Sequence, residues 1–144
     1  MTYAEMLDKQ QKEFDVFSEG KIFFAIVSNR KEFDEILKKE GVTRKEISPI
    51  GFGGYIKNQY IDQMRELVNR HKREKQEAIQ ADKDGTGFIR TMFFYELCNH
   101  EYAYTYDTAE TLECLGLTID DVNNNPALKN GLDLAIKGIV GDNE

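Results

Sequence analysis

The chain has 144 residues, of which 40% are hydrophobic and 31% charged, and its formal net charge is −7. This balance is typical of one globular domain and excludes intrinsic disorder, while the overall acidity argues against general affinity for nucleic acid. The longest apolar run, Ile22–Val27, is far shorter than the about 20 residues that a membrane-spanning helix needs. Cys98 and Cys114 match no metal or redox spacing, and no segment resembles a signal peptide. These features predict a cytoplasmic protein without a membrane partner.

The charged residues are unevenly distributed along the chain. Residues 21–75 carry thirteen basic and eight acidic side chains, whereas residues 96–144 carry two basic and ten acidic ones. A solvated surface is the simplest interpretation of this asymmetry, because net charge affects solubility before function.

In the first half of the chain, the pattern predicts three helices and two strand segments. Ile22–Val27 is β-branched and aromatic, which is typical of a buried strand. Ile47–Ile56 contains one proline and three glycines, which indicates a bent strand or a hairpin edge. Capping residues and glycines mark the predicted helix ends at Thr2 with Glu5, Gly20, Asn29, Gly41 and Asn58.

The second half of the chain is organised around a nearly all-apolar helix predicted at about Phe88–Glu101. Tyr102–Tyr106 alternates like a strand, and Asp107 with Glu110 predicts a capped short helix. Pro126 suits the first turn of the last helix. Together these elements predict an α+β fold of about five helices packed with a small two- or three-stranded sheet, in a single compact domain that covers residues 1–144. The predicted strands are Ile22–Val27, Ile50–Ile56 and Tyr102–Tyr106.

The central helix places two polar residues on an apolar face. At 100° per residue, Glu96 and His100 fall in the same arc as apolar positions of the helix. A carboxylate and an imidazole in such a place either satisfy each other and nearby backbone groups or line a pocket. The opposite side of the helix carries Arg90, Thr91, Phe94, Cys98 and Glu101.

The Glu–x–x–x–His spacing could supply two metal ligands or a general base with its orienting carboxylate. Such a site needs a third group, for which Asp107, Glu110 and His71 are the candidates. Glu96, His100 and Asp107 are therefore the candidate catalytic residues, and ordinary buried hydrogen bonding is the competing interpretation. The sequence assigns no complete metal site and no cofactor.

A glycine cluster supplies a second candidate site. Gly51, Gly53 and Gly54, followed by Lys57 and a predicted helix, are candidate ligand-binding residues, because backbone N–H groups and a helix start attract anions. The spacing is not that of a Walker loop, and glycines more often serve turns with positive φ.

Asp82–Ile89 (DKDGTGFI) resembles the start of a calcium-binding EF-hand loop. The twelfth position of that loop, which must supply a bidentate glutamate, is Phe93. The segment is therefore interpreted as an Asp- and Gly-rich connection between helices.

Several stretches resemble a family of small bacterial and phage proteins of unknown function. The likeness rests on Phe93–Asp107 (FFYELCNHEYAYTYD), on Leu112–Asn125 (LECLGLTIDDVNNN), and on FFAIVSNRKEFDEILKKEGV followed by IGFGGYI. Its motifs are YEL-NHEY, GGF/Y and LGLT, and together they span most of the chain. The resemblance implies a shared fold and carries no assigned activity.

The leading hypothesis for function is a small accessory or interaction protein, encoded by a phage or prophage, that acts by binding a host protein. It rests on small size, uneven charge and the lack of a complete catalytic set. The alternative is a small metal-dependent or acid/base enzyme that uses Glu96, His100 and Asp107. A third option is a ligand-binding domain that uses the turn at Gly51–Gly54.

Overall fold

A computed structural model describes residues 1–141, which form eight α-helices and three β-strands. None of these helices is both long enough and apolar enough to cross a lipid bilayer. The eight helices of the described residues are more than the predicted number of about five. Three of the eight, α5, α6 and α7, have only four to six residues. The elements in chain order are α1 (Tyr3–Ser18), β1 (Ile22–Phe24), α2 (Arg30–Glu40), β2 (Ile47–Gly51), β3 (Gly54–Lys57), α3 (Ile61–Ala81), α4 (Phe88–Asn99), α5 (Tyr102–Thr105), α6 (Ala109–Cys114), α7 (Ile119–Asn123) and α8 (Pro126–Val140).

Helix ends follow local capping chemistry. Thr2 and Glu5 form the predicted capping box, since each side chain accepts a hydrogen bond from the other residue's backbone N–H. The Asn29 side chain accepts from the N–H of Glu32 at the start of α2, and Gly41 ends that helix in the left-handed conformation. These predicted helix boundaries are confirmed. They could be predicted because each depends only on residues that are close together in the chain.

The sheet is antiparallel, with strand order β1-β3-β2. Phe23 lies opposite Tyr55. The glycine pattern predicts either a bent strand or a hairpin edge, and the structure has a hairpin formed by β2 and β3. The single strand predicted at Ile50–Ile56 is wrong, because the turn of this hairpin interrupts it. The first strand is shorter than predicted and ends at Phe24.

The predicted third strand at Tyr102–Tyr106 is wrong, because residues 102–105 form the single-turn helix α5. Left-handed residues, Glu101 and Tyr106, bound this turn on both sides. The N–H of Tyr106 donates to the carbonyl of Tyr102, and the two rings meet edge to face at 5.8 Å. A tyrosine at every second position is a pattern typical of a strand. Here, however, Tyr102 and Tyr106, which are four residues apart, contact each other and stabilise a helical turn.

The chain divides into two compact units, and the division falls inside α1 and inside α3. The first unit contains Met1–Lys9 and the described part of Arg73–Glu144, and the second contains Gln10–Lys72. In the second unit, Phe23 and Tyr55 on one face of the sheet pack with Phe33 and Leu37 of α2. The single domain predicted for residues 1–144 stays a prediction.

In the first unit, α4 lies at the centre of the apolar core, as the sequence predicts. Its most buried side chains pack with the apolar face of α8, including Leu128, Leu132 and Ala135. Close approach of α4 and α8 is possible because Gly131 of α8 has no side chain where it faces Ile89. The α4 side chains with no exposed surface are Ile89, Met92, Phe93 and Leu97.

Candidate functional site

Glu96 is a buried carboxylate on the inner side of α4, with 4% of its surface exposed. Its Oε1 accepts a hydrogen bond of 3.0 Å from the hydroxyl of Tyr3, and its Oε2 accepts one of 3.3 Å from the thiol of Cys114. Both oxygens are thus paired with side chains from other helices. The prediction that Glu96 faces the apolar core is confirmed, and its partners come from α1 and α6.

His100 follows the last turn of α4 and lies between two carboxylates. Its Nε2 is 3.6 Å from Oε2 of Glu96, and its Nδ1 is 3.5 Å from Oε2 of Glu110. The side chain is 22% exposed, yet Nε2 itself is buried and has no hydrogen-bond partner within the part of the chain that the structure describes. The predicted proximity of Glu96 and His100 is present, although the pair is too far apart for a direct hydrogen bond.

The donors to Glu96 are held in their protonated forms. Burial of the Tyr3 phenol, aided by its hydrogen bond to Glu96, raises the pKa of that hydroxyl well above its usual range. Burial and the hydrogen bond to Glu96 also raise the pKa of the Cys114 thiol. Because a thiol with a raised pKa is a poor nucleophile, Cys114 is not activated for covalent catalysis in this state.

Asp107 does not join this group. Its Oδ1 accepts a 2.9 Å hydrogen bond from the N–H of Ala109, so the carboxylate binds a backbone group at the start of α6. The capping box predicted for Asp107 and Glu110 is wrong, because the carboxylate of Glu110 faces His100. Of the three candidates for a third group beside Glu96 and His100, the structure brings Glu110 to the histidine.

Cys114 is the residue of this group that sequence reasoning missed. Atoms of Glu96, His100 and Cys114 that can bind a metal all lie within 4.8 Å of one another. Cys114 lies one turn after Thr111 on α6, and Thr111 is a buried residue whose hydroxyl donates to the main-chain oxygen of Glu96. The sequence carries no signal for this placement, because it depends on how α6 packs against α4.

The glycine cluster forms the turn between β2 and β3. Gly51, Phe52 and Gly53 all have positive φ, as a tight hairpin turn with a bulge requires, and Phe52 at its tip is 97% exposed. Lys57 lies at the other end of β3 and pairs with Glu40 at 4.0 Å. The structure therefore separates the glycines from Lys57 and from the start of α3, so these residues do not form one site. Ligand binding at the glycine turn stays a prediction.

The loop at residues 82–87 uses its carboxylates to organise its own backbone. Oδ2 of Asp82 accepts from the N–H groups of Gly87 and Ile89, which lie at the start of α4. Oδ1 of Asp84 accepts from the N–H and the hydroxyl of Thr86. This arrangement agrees with the interpretation of the segment as a structural connection.

An apolar groove lies in the first unit, between the start of α1 and the outer side of α4. Its volume is about 1020 Å³. Phe94 and Tyr95 contribute exposed aromatic surface, with 43% and 42% of each residue exposed. Polar and charged residues, among them Glu5 and Arg90, also line it. The remaining lining residues are Met1, Thr2, Ala4, Thr86, Gly87, Phe88, Thr91, Cys98 and Asn99.

The two walls of this groove are fixed to each other. The backbone N–H of Tyr3 donates a 3.1 Å hydrogen bond to Oγ1 of Thr91. The Tyr3 ring meets Phe88 and Tyr95 edge to face, with centroids 5.9 and 5.5 Å apart. The buried hydroxyl of Tyr3 is in turn held by Glu96. The groove is consequently preformed, and Glu96 supports it from the core.

Comparison with known proteins identifies the family of the chain. The model of a family of unknown function (DUF7659) matches residues 2–138. No match was found among curated proteins or among solved structures. The chain therefore belongs to this family of unknown function.

Proposed function

We propose that this member of the DUF7659 family is an accessory protein that acts by binding another protein in the groove between α1 and α4. The observation that carries the proposal is the preformed groove of about 1020 Å³, in which two neighbouring aromatic side chains remain exposed. Large exposed apolar patches with a polar rim are typical of interaction sites. Aromatic residues are also enriched at protein interfaces.

We propose an amphipathic helix as the segment that binds in the groove. Such a helix binds by inserting apolar side chains from successive turns into a hydrophobic groove. Phe94 and Cys98 are four residues apart on α4 and offer an apolar strip one turn long, and Ala4 of α1, whose side chain is small, also lines the groove. Because the walls are already fixed by Tyr3, binding needs little ordering of this chain.

Charge favours a basic partner. Residues 1–9 and 73–144 carry seven basic and sixteen acidic side chains, a balance of −9. Complementary charge steers association and disfavours wrong partners. The partner segment is thus an amphipathic helix whose polar face is rich in Lys and Arg. We propose further that a phage or prophage encodes this chain and that the partner is a host protein.

The alternative, a small metal-dependent or acid/base enzyme, is supported by the proximity of His100 and Cys114 to Glu96. The 3.6 Å separation and the pairing of both Glu96 oxygens with Tyr3 and Cys114 give acid/base chemistry less support. Asp107, the predicted third catalytic group, is engaged with the backbone of α6. Binding of a partner protein is therefore the function that we place first.

Selection of peptides from a random display library tests the proposal directly. We expect enrichment of sequences with apolar residues at helical spacing and with Lys or Arg between them. Ala4→Arg fills the groove with a charged side chain and should abolish binding of the selected peptides. Tyr104→Ala removes an aromatic residue that is 85% exposed and lies outside the groove lining, so it serves as the matched control.

Equal binding by wild type and Ala4→Arg would contradict the proposed site. Enrichment of acidic peptides would contradict the proposed partner chemistry, and a library that yields no binder would contradict both. The thermal midpoint of each variant shows whether the chain is still folded, so that loss of binding is not confused with unfolding.

A further inference from the structure

We infer that Glu96, His100 and Cys114 form a binding site for a divalent transition-metal ion of the Zn²⁺ class. Glu96 lies on α4, His100 directly follows α4 and Cys114 ends α6, and the ligand atoms of the three side chains all lie within 4.8 Å of one another. Carboxylate, imidazole and thiolate are the three ligand types that Zn²⁺ accepts in proteins. This inference is independent of the groove and of the partner proposed for it.

The distances from Oε2 of Glu96 to the other two ligand atoms are close to those of a tetrahedral site. Ligand bonds of about 2.1 Å to nitrogen and oxygen and 2.3 Å to sulfur place neighbouring N and O ligands about 3.4 Å apart, and S and O ligands about 3.6 Å apart. The structure gives 3.6 Å between Nε2 of His100 and Oε2 of Glu96. It gives 3.3 Å between Sγ of Cys114 and the same oxygen. These two spacings need little adjustment around an ion, and the nitrogen of His100 and the sulfur of Cys114 lie within 4.8 Å of each other.

The orientation of His100 supports the same conclusion. Nδ1 faces the carboxylate of Glu110 at 3.5 Å, and Nε2 is buried, faces Glu96 and is without a hydrogen-bond partner among the described residues. Metal-binding histidines commonly direct their second nitrogen to a carboxylate, which fixes the tautomer that leaves the other nitrogen free to coordinate. Glu110 is accordingly a positioning residue.

Access and charge also suit a cation. Glu96 is buried at the base of the cluster, whereas Cys114 is exposed at its edge, so an ion can enter from solvent. The thiol of Cys114 releases its proton to solvent when the ion binds, and a thiolate and a carboxylate then neutralise the double positive charge. Tyr3 continues to donate to Oε1 of Glu96, which leaves Oε2 for the ion. Three protein ligands leave a fourth position open to solvent.

Titration of the chelator-treated chain with Co²⁺ and Zn²⁺ tests the inference. We expect one Co²⁺ per chain, with the visible bands of tetrahedral cobalt and a thiolate-to-cobalt charge-transfer band, and displacement of Co²⁺ by Zn²⁺. Cys114→Ser should remove the charge-transfer band. His100→Ala should weaken affinity by more than about 100-fold, beyond the 10- to 100-fold that loss of an outer partner such as Glu110 (as Glu110→Gln) causes.

Cys98→Ser is the matched control for metal binding alone, since Cys98 is the second free cysteine, lines the groove and is not part of the cluster. It should bind Co²⁺ with the wild-type spectrum. The inference is overturned if the wild-type chain binds no stoichiometric Co²⁺, if the band persists in Cys114→Ser, or if Cys98→Ser removes it. His100→Gln and Cys114→Ala serve as second variants, and a circular dichroism spectrum without metal verifies that each variant is folded.

Discussion

At the residue scale, Glu96 connects the core to the outer surface of the first unit. Its two oxygens pair with Tyr3 and Cys114, and Tyr3 fixes the start of α1 onto α4 beside the groove. A buried carboxylate without these donors would raise the free energy of the folded state, because its desolvation would not be compensated. The same residue therefore has a structural role and a place in the inferred metal site.

Tyr3→Phe removes one donor to Glu96, and we expect it to lower the free energy of unfolding by about 1.5–3 kcal/mol at neutral pH, the range for hydrogen bonds to charged groups. Chemical denaturation at pH 7 measures this change. A loss below about 0.5 kcal/mol would contradict the account of Tyr3 as the residue that anchors α1.

The pH dependence of stability follows from the raised pKa of Tyr3, whose hydroxyl faces Glu96, Cys114 and Tyr95. Since the ordinary value is 10.0, the unfolded chain loses this proton above about pH 10 while the folded chain retains it. The contribution is thus fully present below pH 10 and is lost as pH rises further. Denaturation of the metal-free chain from pH 8 to 11.5 should show a steeper alkaline loss for wild type than for Tyr3→Phe, and parallel curves would contradict this.

The sequence predicts part of this cluster. A helical projection of one segment is enough to place Glu96 and His100 together in the apolar arc of α4. The same projection groups Arg90, Thr91, Phe94 and Cys98 on the opposite side, where they line the groove. Tyr3 and Cys114 could not be assigned to Glu96, because they are 93 and 18 residues away in the chain and meet it only through packing.

At the element scale, the contact between α4 and α8 depends on glycine. A Cβ atom at Gly131 would lie 2.5 Å from Cγ2 of Ile89 and 2.9 Å from the main-chain oxygen of Gly85. At Gly138, in the same helix, a Cβ atom would lie at an ordinary 3.4 Å from the ring of Phe94. The two positions form a natural pair for comparison.

Gly131→Ala should destabilise the fold by about 1–3 kcal/mol, the usual cost of overpacking. Gly138→Ala should stabilise it by about 0.5–1 kcal/mol, because alanine is the better helix former. Thermal unfolding of both variants measures the difference. Equal midpoints would contradict the close approach of the two helices.

The β2–β3 hairpin contains a residue that is poorly suited to its backbone. Phe52 has a φ of 52° at the turn tip, a conformation that costs about 1–2 kcal/mol for most residues. Phe52→Asn should stabilise the fold by about 1 kcal/mol, because asparagine tolerates this conformation and Asn-Gly favours such turns. Ile26→Asn, at an exposed position without positive φ, should stay within about 0.5 kcal/mol of wild type in the same denaturation experiment.

Most elements that depend on local chemistry are predicted well, and the capping box at Asp107 and Glu110 is the exception. The caps at Thr2 and Asn29, the stop at Gly41 and the hairpin are all present in the structure. Tyr102–Tyr106 was predicted as a strand because alternation is the signature of a half-buried strand. The segment is too short for its period to separate a strand from one helical turn, and the flanking left-handed residues decide the outcome.

At the scale of the whole molecule, charge follows the two units. Residues 1–9 and 73–144 have a balance of −9, whereas residues 10–72 carry twelve basic and ten acidic side chains, a balance of +2. The acidic unit holds both the groove and the Glu96 cluster. Membership of the family provides no activity to guide interpretation, so the proposed function depends on this unit's own surface.

Amide hydrogen exchange of the chain, alone and with a selected basic amphipathic peptide, tests binding in the groove most directly. The account predicts slower exchange in residues 1–5 and 86–99, where the walls of the groove lie, and no such change in Ala4→Arg. Protection confined to the hairpin turn at residues 51–54, or the same protection in Ala4→Arg, would contradict it.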